Sequence, residues 1–152
     1  MDSLAMKTAK TTITLKRVVT TPSGAGLFLG NDKKTFVIYV DLLMGEQINL
    51  ALKKQAQPRP LTFDFFRYVL QSFEISVKTI VIYKAENGVF YSRVVMEQRD
   101  ALQRVAEMDI RTSDAILLSL TMNKPLLIAD SVFEKIPDAG EILNNFNKLM
   151  AQ

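Results

Sequence analysis

The chain contains no histidine, no cysteine and no tryptophan, and the first of these absences constrains function most. Without an imidazole there is no Ser-His-Asp or Cys-His catalysis and no ordinary zinc site. Any chemistry must rest on Asp, Glu, Lys, Arg, Tyr, Ser or Thr, or on a bound hard cation. The lack of cysteine excludes structural disulfides. A chain of 152 residues that is 48% hydrophobic buries about 70% of its unfolded surface, so it needs neither a disulfide nor a metal to fold. Glycine and proline are sparse, at 6 and 5, which points to one compact domain over residues 1–152. No apolar run approaches a membrane span, and Met1-Asp2-Ser3-Leu4-Ala5-Met6-Lys7 lacks the apolar stretch of a secretory signal. A cytoplasmic protein without a membrane partner is the expectation.

The net charge of +3 is unevenly placed. Residues 1–34 hold 6 basic and 2 acidic side chains, and the remainder is slightly acidic. Lys7, Lys10, Lys16, Arg17, Lys33 and Lys34 read first as solubilising charges on strands and turns. A dedicated nucleic-acid binder shows a denser basic stripe.

Residues 12–21, rich in Thr and Val, and Leu27-Phe28-Leu29-Gly30 read as strands. Asn31-Asp32-Lys33-Lys34 supplies turn chemistry before Phe36–Val40, apolar on successive residues as in a strand covered on both faces. Met44, Ile48, Ala51 and Leu52 recur at helical spacing and predict a helix over 42–54, which Pro58 and Pro60 end. A second helix starts at once: Thr62 is the expected N-cap, and Phe65, Phe66, Val69, Leu70 and Phe73 line one face. Val77–Tyr83 and Val89–Met96 are strands about a turn at Glu86-Asn87-Gly88, and 102–109 reads as a returning strand. Thr112 or Ser113 is expected to cap the apolar helix Ala115–Met122. Pro125–Ala129 is a short buried strand, and a helical turn opens at Asp130 or Ser131. The last helix, within 138–152, carries the stripe Ile142, Leu143, Phe146, Leu149 and Met150. That stripe must dock on the body or on another subunit, and it predicts a homo-oligomer, most simply a two-fold dimer. Strand pair, capped helix and strand recur from Gly24 to Tyr83 and from Gly88 to Ala129. The fold expected is α+β, with a mixed sheet of two pseudo-repeated hairpin-helix-strand halves and a C-terminal amphipathic helix.

Most of the tyrosines and phenylalanines occupy positions that read as core packing rather than base stacking, and Gly24-Ala25-Gly26 lacks the Gly-Lys-Ser/Thr ending of a phosphate loop. The residues that carry chemistry sit in two short segments, Arg59-Pro60-Leu61-Thr62-Phe63-Asp64 and Asp109-Ile110-Arg111-Thr112-Ser113-Asp114. Each joins an arginine to a hydroxyl and a carboxylate at the head of an apolar run. A cap worth ~1 kcal/mol and a first-turn acid worth ~0.3–1 kcal/mol explain the hydroxyls and acids structurally. Neither explains Arg59 or Arg111, because capping needs no arginine. An arginine-carboxylate clamp is the structural alternative.

With both motifs in view, the chain resembles the bifunctional nuclease family over roughly residues 26–136. The family's Arg-Pro-Leu-Thr-His-Asp is matched at Arg59, Pro60, Leu61, Thr62 and Asp64, with Phe63 in place of the histidine. Its Asp-x-Arg-Pro-Ser-Asp-Ala-Ile is matched at Asp109, Arg111, Ser113, Asp114, Ala115 and Ile116, with Thr112 in place of the proline. The resemblance implies a nuclease acting on phosphodiester bonds of DNA or RNA. In that reading Asp64, Asp109 and Asp114 are catalytic and hold Mg2+ or Mn2+, while Arg59, Arg111, Thr62 and Ser113 bind substrate. Two alternatives stand beside it: a non-catalytic oligomeric scaffold using the same residues as an ion-pair network, and a small-anion or nucleotide binder at helix N-termini.

Overall fold

A computed structural model describes residues 7–100 and 102–152. The N-terminal stretch Met1–Met6, considered above for a secretory signal, lies outside the described residues. The fold is α+β, as the sequence implies. Strands β1 (Lys10–Thr21), β2 (Gly24–Gly30), β3 (Thr35–Val40), β4 (Ile75–Glu86), β5 (Val89–Gln98), β6 (Arg104–Arg111) and β7 (Leu126–Ala129) form a mixed sheet in the order β3-β2-β1-β7-β4-β5-β6. Of these pairings β4 with β7 is parallel and the rest are antiparallel. Helices α1 (Leu42–Leu52), α2 (Thr62–Ser72), α3 (Thr112–Met122), α4 (Asp130–Lys135) and α5 (Gly140–Met150) complete the chain.

Local chemistry explains the turns. Asn31 Oδ1 accepts from the N–H groups of Lys33 and Lys34 (2.9 and 3.1 Å), an Asx-type turn. A Cβ on Gly30 would lie 2.0 Å from the carbonyl oxygen of Lys34, so glycine is required there. Asn87 and Gly88 both have positive φ (51° and 76°), the two-residue turn whose twist suits a hairpin. β1 changes partner along its length: Lys10–Ile13 pair with β7 and Thr14–Thr21 with β2. The register shifts between Leu15 and Arg17, where Lys16 Nζ donates to the Asn31 carbonyl and to Thr35 Oγ1 (both 2.7 Å). This partner change also separates the structure from the simple repeat in the sequence. β1 pairs with β7 as β5 pairs with β4, so β1 and not β2 occupies the place opposite β5.

The core lies between the sheet and helices α1 to α3. Ile13, Leu27, Leu29, Ile80, Ile82 and Ile128 are fully buried on the sheet, facing Ile48 of α1 and Ala115–Leu118 of α3. α3 needs no polar stripe because α1, α2 and four strands surround it. α1 sits so close to β2 that a Cβ on Gly45 would fall 2.3 Å from the Cβ of Ala25. Phe36 of β3 stacks on Phe90 of β5, which shows that the sheet curls toward itself. α5 builds a second, smaller core: Leu143 is buried with Ala139 and Phe28, and Phe146 meets the Phe28 ring edge-on at 6.2 Å. The stripe of the last helix therefore docks partly on its own body, while Ile142, Leu149 and Met150 stay exposed. No described helix is long and apolar enough to cross a membrane.

α2 departs from expectation. Its apolar face does not seal against the sheet: Leu70 is buried and Phe63 and Val69 are half-buried, but Phe65, Phe66, Tyr68 and Phe73 are exposed. The spacing predicts a helix correctly, yet the helix carries more aromatic surface than its seat can cover.

Candidate functional site

The second motif is placed by the passage from β6 into α3. Asp109 and Arg111 end the strand, and Thr112 begins the helix. Thr112 does not cap it. Its Oγ1 shares a hydrogen bond with Ser92 Oγ on β5 (2.7 Å), with both residues buried. The N-cap position is Arg111, with no side-chain cap, and Ser113 is half-buried in the first turn. A β-branched hydroxyl facing the sheet finds a serine across the interface, and burial makes that bond worth more than a solvent-exposed cap.

Arg111 and Asp114 form a two-point pair. Nε donates to Oδ2 at 2.9 Å and an Nη to Oδ1 at 3.4 Å. The arginine side chain is 71% exposed and the carboxylate 22%. The Asp114 hydrogen bond and charge, with a smaller contribution from Asp41, hold the Arg111 pKa above its ordinary value. Asp41 caps α1, accepting from the Met44 N–H at 2.9 Å. It was missed as a site neighbour because only the folded helix arrangement brings it toward Arg111. Asp109, two residues before Arg111 on exposed β6, is opposite Arg93 in the register and 3.5 Å from the Tyr83 hydroxyl. Arg93 itself bridges Glu107 at 3.2 Å and lies 4.4 Å from the Tyr83 ring centroid.

The first motif forms a different place. Asp64 Oδ2 accepts from the Leu61 N–H at 2.9 Å, and Oδ1 lies 3.9 Å from Arg67. Leu61, not Thr62, is the N-cap, and Thr62 is the exposed first residue of α2. The rigid Pro58-Arg59-Pro60 entry sets the chain direction so that the third helical residue, Asp64, reaches back to the cap N–H. Arg59 is exposed and makes no ion pair or hydrogen bond among the described residues. Phe63, at the position of the family histidine, is half-buried with its ring edge-on to Phe66 at 6.3 Å. With Asp64 and Arg67 it lines a groove of about 490 Å3 whose far wall is Leu117, Leu120 and Thr121 of α3 and whose side is α1.

That groove shows how the motifs are separated. The start of α2 borders the C-terminal half of α3, whereas Arg111 and Asp114 lie at its N-terminal end, and a helix of 11 residues is ~16 Å long. The two motifs do not close on one another, and the acids are divided between them: Asp64 serves Leu61 and Arg67, Asp114 serves Arg111. A hard cation takes about six oxygen ligands, but no group of three or more acidic residues among the described residues is close enough to hold a metal. The donors Asp64, Asp109 and Asp114 do not fit a shared Mg2+ or Mn2+ within one chain. The one buried carboxylate among the described residues, Glu97, accepts from Gln103 on Oε1 (2.9 Å) and faces the Lys78 ammonium with Oε2 (2.8 Å), and these neighbours hold its pKa below the usual carboxylate range against the opposing effect of burial.

Comparison with known proteins agrees with the motifs. Two uncharacterized proteins from two strains of Mycobacterium tuberculosis, Rv1829 and MT1877, are each 26% identical to this chain over 111 residues. The match covers 68% of this chain and 64% of each relative, so the chain spans less than two thirds of the length of the curated relatives it matches. The sequence profile of the bifunctional nuclease domain matches residues 27–138, most of the sheet and helices α1 to α4. The chain therefore belongs to the bifunctional nuclease domain family.

Proposed function

We propose that this domain is a nuclease-like protein that engages the phosphate backbone of nucleic acid at the start of α3, with Arg111 as the phosphate ligand and Asp114 as the adjacent carboxylate. The observation that carries this reading is the exposed, pre-oriented guanidinium of Arg111. Arginine has five N–H donors in a rigid fork, and the Asp114 pair uses two, so three remain for an anion. Ser113 adds a hydroxyl beside them. Asp114 is the carboxylate placed to orient water against a phosphate held by Arg111. Arg59, Thr62 and Asp64, at the head of α2, form a second contact for the same chain of phosphates rather than a part of the reacting centre. Asp109 belongs to neither.

The test is incubation of the purified protein with labelled single- and double-stranded DNA and RNA, with and without Mg2+ or Mn2+. Arg111→Ala weakens binding, and Asp114→Asn lowers turnover ~100-fold, the order expected when one electrostatic or acid-base group is lost. Full cleavage by a folded Asp114→Asn variant removes that residue from the chemistry, and no binding by the wild type overturns the reading. A second reading, a non-catalytic homo-oligomeric domain, is favoured by the separation of the acids and by the exposed Ile142, Leu149 and Met150 of α5.

A further inference from the structure

The tyrosines, which the sequence alone reads mostly as core packing, all lie outside the buried core, and two of them meet. Tyr83 of β4 and Tyr91 of β5 are half-buried, with ring centroids 6.5 Å apart and planes tilted by 55°. Successive side chains of a strand point to opposite faces. Ser92 and Val94 point into the core beneath α3, so Tyr91 and Arg93 stand on the other face, away from α1 to α3. The register sets Tyr91 directly opposite Arg111 on β6, and Arg93 opposite Asp109. The exposed guanidinium assigned above to phosphate is therefore the cross-strand neighbour of an aromatic ring.

Cations flank both rings. The Arg93 guanidinium lies 4.4 Å from the Tyr83 centroid, and the Lys84 ammonium lies 5.0 Å from that of Tyr91. Beyond Tyr83 the same face holds a hollow of about 220 Å3, where Lys10 and Ser131 join Tyr83 and Arg93. From Arg111 on β6 to Lys10 on β1 there are four strand spacings, ~19 Å in all. The ionic groups along this path are balanced: Lys84 pairs with Glu86 (2.7 Å), Arg93 with Glu107 (3.2 Å) and Arg111 with Asp114 (2.9 Å), and Asp109 adds a further acid. A duplex is held chiefly through its phosphates, and a balanced face attracts it little. What the face offers instead is π surface, and only an unpaired base exposes the flat side that stacks on it.

We infer that the face of β4 and β5 beside Arg111 is a base-stacking platform for single-stranded nucleic acid. Tyr91 takes the base next to the phosphate held by Arg111, and Tyr83 with Arg93 takes the following one. The inference rests on the phosphate reading of Arg111 and adds to it the selection of unpaired strands. If the two rings only brace the β4–β5 hairpin, their loss lowers stability and leaves strand preference unchanged.

End-labelled oligothymidylate, an abasic phosphodiester strand of the same length and a duplex are titrated with the full chain and followed by anisotropy, with a chelator present to keep the strands intact. The protein should bind oligothymidylate ~10-fold or more tightly than the abasic strand, the order expected from stacking one base, and more tightly than the duplex. Tyr91→Ala should lower the oligothymidylate affinity ~10-fold and leave the abasic strand unaffected. Tyr91→Phe should restore it, because a phenyl ring keeps the π face. The thymine methyl protons of the bound strand should move upfield with wild type and with Tyr91→Phe, a ring-current signature that a bracing role does not produce. If Tyr91→Ala does not fold, the two single strands and the methyl shift on the wild type decide the matter. Equal affinity for the two single strands, tighter binding of the duplex, or an absent methyl shift overturns the platform and leaves phosphate binding at Arg111 standing. No binding to any of the three overturns the phosphate reading and the platform with it.

Discussion

Phe36 on β3 and Phe90 on β5 stack with ring centroids 5.9 Å apart and planes 24° from parallel, although four strands separate β3 from β5 in the sheet. The contact is therefore made by curvature, and it joins the two ends of the fold. Phe36 is fully buried and also meets Phe133 of α4 edge-on at 6.1 Å. Phe36→Ala should cost ~3–5 kcal/mol in urea unfolding, and Phe90→Ala less, because its ring is only half-buried. A double-mutant cycle should return a coupling of ~0.5–1.5 kcal/mol. Simple additivity would mean that the two rings do not hold the curl.

Thr112 distinguishes a cap from a core contact. If its hydroxyl capped α3, removing it would cost the helix alone. Because it faces Ser92 at 2.7 Å in the interior, Thr112→Val leaves the serine hydroxyl unpaired and should destabilise by ~1–3 kcal/mol. Ser92→Ala combined with Thr112→Val should recover part of that loss. Chemical denaturation of the two single variants and the double variant measures this directly.

The Arg111 pair has the opposite character. A buried clamp would cost several kcal/mol to break, but Arg111 projects into solvent, and exposed pairs are worth ~0.2–1 kcal/mol. Arg111→Ala and Asp114→Asn should therefore leave the unfolding midpoint nearly unchanged at low and high salt. Any effect on nucleic-acid binding or cleavage then reports function rather than folding. Severe destabilisation by either substitution would return the pair to a structural role.

Asp138 ties the α4–α5 connection to the sheet edge. Its Oδ1 accepts from the N–H of Thr35 (3.1 Å) and of Gly140 (3.0 Å), and these two bonds hold its pKa below the ordinary value of 3.8. A carboxylate depressed on folding contributes stability that is present above its unfolded pKa and disappears as pH falls through the folded one. The difference in urea midpoint between wild type and Asp138→Ala should be constant from neutral pH to about pH 5 and shrink below about pH 4. A difference that does not change across this range would show that the charged form is not what the two N–H groups bind.

Elements with a local cause were legible in the sequence. Asn87-Gly88 dictates its hairpin turn, Pro58 and Pro60 separate α1 from α2, and the apolar run 115–122 is a buried helix. The return of 104–111 as a strand also followed from the short turn before it. What depends on how elements meet was not legible. Thr112 had a local reason to cap and a stronger tertiary partner in Ser92. The aromatic side of α2 satisfies helical periodicity whether or not anything covers it, so pattern alone could not tell a core face from an open one. The two arginine motifs look equivalent in sequence, but α3 places their surroundings at its opposite ends. A linear motif records which residues occur together, not which end of a neighbouring helix they face.

The contact between Gly45 and Ala25 sets a spacing for the molecule. A methyl at residue 45 has no room, so it would lever the first turn of α1 off β2. The Gly45 N–H is bonded to the Asp41 carbonyl at 3.0 Å, and the Asp41 charge reaches Arg111. A hydrogen atom hidden under α1 thus acts as a shim that sets how closely the helix, with its Asp41 cap, lies against the sheet.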